Sequence, residues 1–168
     1  MLSKLHHVAY RCHDAQETVE FYTNVLGLKF AKSIVQDLVP SINKVDPHIH
    51  IFFEMEDGSF IAFFDIASSD DQVAEPGRDW AQHLALEVSP DRIEKVVEGL
   101  RANNVDFVGP VDHGICESYY FYDPSGNRLE CAVRTDSEEM WATSASKAYA
   151  QLEAWNAKKA SLNTATKS

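Results

Sequence analysis

Cysteine is scarce in this chain and badly spaced for anything structural. Cys12, Cys116 and Cys131 are too few and too scattered for a disulfide framework, and no Cys-x-x-Cys occurs to hold zinc or a redox pair. Reduced thiols in a cytoplasmic setting are the expectation. Basic residues are also short: 15 Lys and Arg stand against 26 Asp and Glu, a formal charge of −11. A surface of that sign repels phosphate backbones and anionic headgroups, which argues against a nucleic acid or a membrane as partner. No apolar run approaches the roughly 20 residues that a bilayer requires. The first residues, Met1 to Leu5, lead straight into a strand pattern, so a signal peptide is not expected. What is present is ordinary for a soluble globular protein: 45% hydrophobic and 24% charged residues in a chain of 168. That length builds one domain, or two small fused modules, around a real core.

The chain repeats itself. Leu5-His6-His7-Val8-Ala9-Tyr10-Arg11 alternates as a strand does, and Asp14 opens a helical stretch over 15–26 that Gly27 stops. Residues 80–88, Trp80-Ala81-Gln82-His83-Leu84-Ala85-Leu86-Glu87-Val88, form a second copy of that strand. Asp91 then starts a second helix with Ile93, Val96, Val97 and Leu100 on its apolar side. Three strand candidates follow each helix: 29–35, 48–56 and 59–66 in the first copy, 105–111, 117–122 and 128–134 in the second. Gly58 and Gly126 end matching hairpin turns, where glycine accepts positive φ without penalty. The plan is α+β, a βαβββ module written twice (4–66 and 80–134), with residues 67–79 as a Ser-, Asp-, Pro- and Gly-containing linker.

Beyond Arg134 the pattern changes. Trp141, Ala145, Ala148, Leu152 and Trp155 recur at helical spacing, which predicts an amphipathic C-terminal helix over 137–159. The same pattern serves packing on the sheet or on a partner subunit. Residues 135–168 thus stand outside the paired-module domain of 1–134, and 161–168 are expected to be a disordered tail.

Parity along the strands singles out a metal site. His7 and His83 occupy equivalent places in the two first strands, so the two modules should form a cup with these imidazoles facing each other. Aligning Gly126 with Gly58 sets Glu130 against Ala62, so three of four symmetric positions carry ligands: His7, His83 and Glu130. Singly, a strand histidine is more often a hydrogen-bonded core residue; the case rests on the three together. Two imidazoles and a carboxylate with positions left open suit Fe(II), with Mn(II) as the other candidate. His6 has the wrong parity for this set.

With these residues in place, the span 4–134 resembles the vicinal-oxygen-chelate superfamily, whose paired βαβββ modules cup a divalent metal. That superfamily contains glyoxalase I, methylmalonyl-CoA epimerase, fosfomycin-resistance thiol transferases, bleomycin-binding proteins and type I extradiol ring-cleavage dioxygenases. Within it, 111–130 is similar to the extradiol signature through His113, Tyr120, Asp123, Pro124, Gly126 and Glu130, with Tyr119 standing where an aliphatic residue is usual. The resemblance implies an Fe(II)-dependent dioxygenase that opens a small aromatic diol with O2. His113 and Tyr120 would hold substrate oxygens. An acid–base histidine on the third strand of the first half would be His50, with His48 in reserve. It also implies a homodimer or higher homo-oligomer. The segment 36–45 is expected to lie between strands, where it could cover the site.

Three rivals stand beside this. A metal-dependent thiol transferase of the fosfomycin-resistance type shares the His, His, Glu pattern but wants cations for a phosphonate, and Arg and Lys look sparse near the ligands. Glyoxalase-like lyases usually fill the position that Ala62 holds. A non-catalytic small-ligand binder generally lacks the metal residues.

Overall fold

The structure, a computed structural model, describes residues 3–68 and 81–165, the side chains of 160, 161 and 163–165 excepted. Most of the expected linker, and Trp80, fall outside the described residues. The element order is β1 (His7–Arg11), α1 (Ala15–Glu20, continuing through a π-helical turn over Phe21–Val25), β2 (Lys29–Val39), β3 (Lys44–Glu54), β4 (Phe60–Ile66), β5 (Leu84–Glu87), α2 (Ile93–Ala102), β6 (Phe107–Asp112), β7 (Cys116–Tyr122), β8 (Arg128–Arg134) and α3 (Glu138–Ala165). Two four-stranded sheets result, ordered β1-β4-β3-β2 and β5-β8-β7-β6, so the repeat is a repeat of topology.

Register extends the correspondence to single residues. Ala9 pairs with Ala62 and Ala62 with Phe52 in the first sheet. Ala85 pairs with Glu130 and Glu130 with Tyr120 in the second. The glycine-based alignment of Glu130 with Ala62 therefore holds in three dimensions, and His7 and His83 each lie two residues before their alanine.

Local chemistry explains the element ends. The Asp14 side chain accepts from the Glu17 amide at 2.7 Å and caps α1. Gly27, at φ +71°, turns the chain out of the π-helical turn. Residues 36–39 and 44–45, expected to lie between strands, instead lengthen β2 and β3 into a long hairpin around residues 40–43. Ladder pairs Leu38 with Val45 and Val39 with Lys44 satisfy backbone groups that a loop would leave to water.

One core serves both modules. Tyr22, Phe53, Phe63, Phe121, Ile61, Leu100 and Leu129 are buried together, each contributing about 1.5–3 kcal/mol by full burial. The π-helical turn bridges the sheets: Tyr22 stacks on Phe53 at 4.9 Å, while Phe21 lies 6.4 Å from Phe121. The Tyr22 hydroxyl donates to Asp123 of the β7–β8 turn at 3.0 Å, and Asn127 and His13 add further bonds between the modules. Gly99 of α2 comes so close that a Cβ there would sit 2.6 Å from the Val25 carbonyl oxygen. Because this core takes the side of each sheet carrying Phe53, Phe63, Phe121 and Leu129, alternation turns the other side of each sheet away from it. Those two outer faces carry all the candidate site residues.

Helix α3 forms where expected and runs on to Ala165, so 161–165 are helical rather than a disordered tail. The described side chains from Ser137 to Lys159 are all exposed, and the helix does not lie on either sheet. Trp141, Leu152, Trp155 and Leu162 share one side, but exposed Met140 and Tyr149 lie off it, so the helix is less two-faced than the sequence pattern suggests.

Candidate functional site

On the outer face of the second sheet, β8 presents Glu130 between Tyr120 of β7 and Ala85 of β5. His83 precedes β5 by one residue and shares the parity of Ala85, which aims it across β8. Its Nε2 lies 2.7 Å from Glu130 Oε2. The other carboxylate oxygen accepts from the Ser118 hydroxyl at 2.5 Å, and both Ser118 (0% exposed) and Glu130 (6%) are buried. His83 Nδ1 lies 3.1 Å from the Ala81 carbonyl oxygen, which can only accept, so Nδ1 carries the proton. Protonated, the ring donates from Nε2 to the carboxylate; unprotonated, it turns a lone pair at Nε2 toward a carboxylate lone pair. That contact calls for a shared proton or a cation between them.

Tyr120 belongs to the same cluster. Its hydroxyl is 2.9 Å from His113 Nε2, its ring stands edge-on to His83 at 5.9 Å, and the Arg128 guanidinium covers its face at 4.6 Å. Desolvation holds the phenol above its ordinary value, so Tyr120 is a neutral donor at physiological pH. Tyr119, of opposite parity, packs inward near Phe107.

The outer face of the first sheet holds the other candidates. His7 lies 5.9 Å from Phe52 and 6.0 Å from His50 between ring centroids, and its Nδ1 is 2.7 Å from His6 Nδ1. His50 is stacked on Phe64 at 3.7 Å and tilted against Phe52 at 4.1 Å, and its Nε2 is buried with no hydrogen-bond partner. Burial, then the nearby His7, His48 and Lys32, pushes its pKa down to about 4. An imidazole wedged between two phenyl rings stays uncharged at pH 7, the form that accepts a proton. His48 is tied to the Asp46 carbonyl at 2.7 Å.

The six site residues read from the sequence thus divide between two faces: His83, Glu130, Tyr120 and His113 on one, His7 and His50 on the other. Among the described residues no three of His, Cys, Asp or Glu approach closely enough to hold one ion. A single chain does not bring His7 to the His83–Glu130 pair.

Sequence reasoning passed over three residues. Ser118 was legible from parity, two residues before Tyr120 on β7. Arg128, two before Glu130, and Lys32, 4.3 Å from the Phe52 ring centroid, place a cation on each face. The impression that Arg and Lys are sparse near the ligands is corrected by these two.

The glyoxalase/bleomycin resistance protein/dioxygenase family model matches residues 4–131, three quarters of the chain. The chain belongs to this superfamily. Solved structures agree on the fold. The FosX fosfomycin resistance protein of Listeria monocytogenes, complexed with Mn(II) and sulfate, is 19% identical at a TM-score of 0.59, covering 84% of this chain and 99% of that one. A glyoxalase/dioxygenase from Nostoc punctiforme is 25% identical at 0.59, covering 79% and 92%. A glyoxylase/bleomycin resistance protein/dioxygenase domain from Frankia sp. EAN1pec reaches 0.66 at 17% identity, covering 80% and 99%. No curated protein matches the sequence. Superfamily membership fixes the fold and leaves the chemistry to the site. The extradiol subtype expected from the 111–130 signature is narrower than these likenesses reach.

Proposed function

We propose that this chain is a metal-dependent enzyme of the superfamily acting on a small, oxygen-bearing and anionic ligand, as a transferase or glyoxalase-like lyase. The observation that carries this reading is the His83–Glu130 contact. A buried carboxylate held by Ser118 faces an imidazole whose other nitrogen is committed to a carbonyl. That is how ligands are oriented for a divalent cation, and two imidazoles with one carboxylate suit Mn(II) or Fe(II). His83, Glu130 and His7 are the proposed ligands. When bound, the cation supplies Lewis acidity that polarises a substrate oxygen.

The remaining residues act on the ligand. Tyr120 donates to a substrate oxygen beside His83, with His113 fixing the phenol's direction. Arg128 attracts an anionic group to this face. His50 offers an uncharged acceptor between Phe52 and Phe64, in an apolar wall that excludes water. His7 reaches the pair from a second copy: both ligand-bearing faces turn outward from the shared core, and His7, Ala9, His83 and Ala85 are exposed along the edge strands. Apposing two copies makes two equivalent sites, each with one face from either chain.

A second reading, the extradiol dioxygenase of a catechol with O2, draws on the 111–130 signature and the His113–Tyr120 contact. Its proton acceptor would be His50, uncharged at pH 7 and therefore able to take a proton but holding it weakly.

Mn(II) titration followed by electron paramagnetic resonance tests the site. Tight binding that Glu130→Gln and His83→Ala each weaken by at least tenfold is expected; unaltered binding in both variants sinks the assignment. Turnover with a phosphonate epoxide plus thiol, or a 2-oxoaldehyde plus thiol, supports the first reading. Oxygen uptake with a catechol transfers it to the second.

A further inference from the structure

Helix α3 belongs to neither module, and the superfamily pattern does not call for it. It spans 28 residues, about 42 Å at 1.5 Å per residue. Arg134 at the end of β8 sets its guanidinium 5.7 Å from the Trp141 ring centroid, yet the described side chains of the helix stay exposed, although a helix ordinarily draws most of its stability from tertiary burial of one face. Trp141, Trp155, Leu152 and Leu162 are 60%, 51%, 53% and 55% exposed.

These residues fall in one register. Trp141, Ala148, Trp155 and Leu162 recur every seven positions, with Ala145, Leu152 and Lys159 four positions after the first three. That is the seam of a two-stranded coiled coil, with the first set at d and the second at a. The order of large and small residues selects the direction. In a parallel pair each residue meets its own copy, so Trp crowds Trp while Ala145 and Ala148 leave voids. In an antiparallel pair centred near residue 150, Trp155 meets Ala145 of the second copy, Leu152 meets Ala148, and the Lys159 stem lies along Trp141. Charge selects the same direction: Glu138 and Glu139 stand at one end, Lys158 and Lys159 at the other. Antiparallel pairing sets acid against base at both ends and opposes the helix dipoles.

We infer that α3 is an antiparallel pairing helix whose partner is α3 of a second copy of this chain, the seam running from Glu138 to Leu162. This inference is independent of the metal site, since it uses no residue before Ser137.

Single-cysteine cross-linking of the full chain under mild oxidation tests it. Gln151 flanks the seam beside the two-fold axis, so Gln151→Cys is expected to form a disulfide-linked dimer in high yield. Ala145→Cys is not, because ten residues separate it from the level of its own copy. A Leu152→Glu substitution added to Gln151→Cys is expected to cut the cross-linked fraction at least tenfold, with unchanged folding of the body by tryptophan-independent near-ultraviolet signals from its tyrosines. Cross-linking at Ala145→Cys in place of Gln151→Cys means parallel pairing and overturns the inference. No cross-linking above the unsubstituted chain, which carries a half-buried Cys116 besides buried Cys12 and Cys131, overturns it in favour of another occupant.

Discussion

A site built from two copies has an arithmetic consequence that a site within one chain lacks. His7→Ala removes a ligand from the first sheet's outer face; Glu130→Gln removes one from the second's. Each pure variant has both of its sites broken. When equal amounts are unfolded together and refolded, random pairing gives about half mixed dimers, and each mixed dimer carries one site in which intact His7 meets intact His83 and Glu130. The other site in that dimer lacks both. The mixture should therefore regain about a quarter of the native number of tight sites, at native affinity, from parents that have none. The structure dictates this choice of pair: Glu130 and His83 touch at 2.7 Å on one face, while His7 neighbours His50 and Phe52 on the other. Mn(II) stoichiometry by electron paramagnetic resonance reads the result without requiring a substrate. No recovery above the pure variants would refute the shared site. As a control, His83→Ala mixed with Glu130→Gln must not recover, because both lesions lie on the same face.

Other perturbations have definite outcomes. Ser118→Ala frees one oxygen of a buried carboxylate, and metal affinity should fall about 10–100-fold with the fold intact; an unchanged titration would remove Ser118 from the site. Tyr22→Phe deletes a buried bond to the Asp123 carboxylate and should cost about 1.5–3 kcal/mol in urea unfolding, without changing metal stoichiometry. His50 gives the metal-free protein an acid sensitivity. Its folded pKa, about 4, lies below the ordinary 6.5, so the unfolded chain binds the proton first. The stability this neutral imidazole allows is complete above about pH 6.5 and is lost progressively as pH falls toward 4. His50→Phe should flatten unfolding midpoints across that window; an unaltered slope would mean that His50 titrates normally in the fold.

Much of this protein was written in the order of its residues. Alternation in 5–11 and 80–88, glycines at 58 and 126, and helical spacing after Asp14 and Asp91 specified a βαβββ plan twice over, because period and turn chemistry are local properties of the chain. Equivalence of His7 with His83, and of Glu130 with Ala62, followed from counting along strands, and the ladder register agrees with it. Strand alternation also separates Tyr119, packed inward near Phe107, from Tyr120 on the face of the site. Where the hairpin of β2 and β3 ends was less legible, since residues 36–45 carry a proline and no regular alternation yet gain ladder bonds from each other.

Tertiary packing decided the rest. Repeat symmetry says which residues are equivalent; it does not say whether two sheets meet by their ligand-bearing faces or by their backs. Here Tyr22, Phe21 and Gly99 bind the modules back to back through a common core, which leaves His7 on one outer face and His83 with Glu130 on the other. The pKa of His50 was likewise unreadable from its strand position, because it depends on Phe52 and Phe64 closing over the ring. The residue types and their faces come from sequence, since a strand's side chains alternate wherever it lies. Which faces adjoin comes from burial, a property of the whole chain that no local pattern contains.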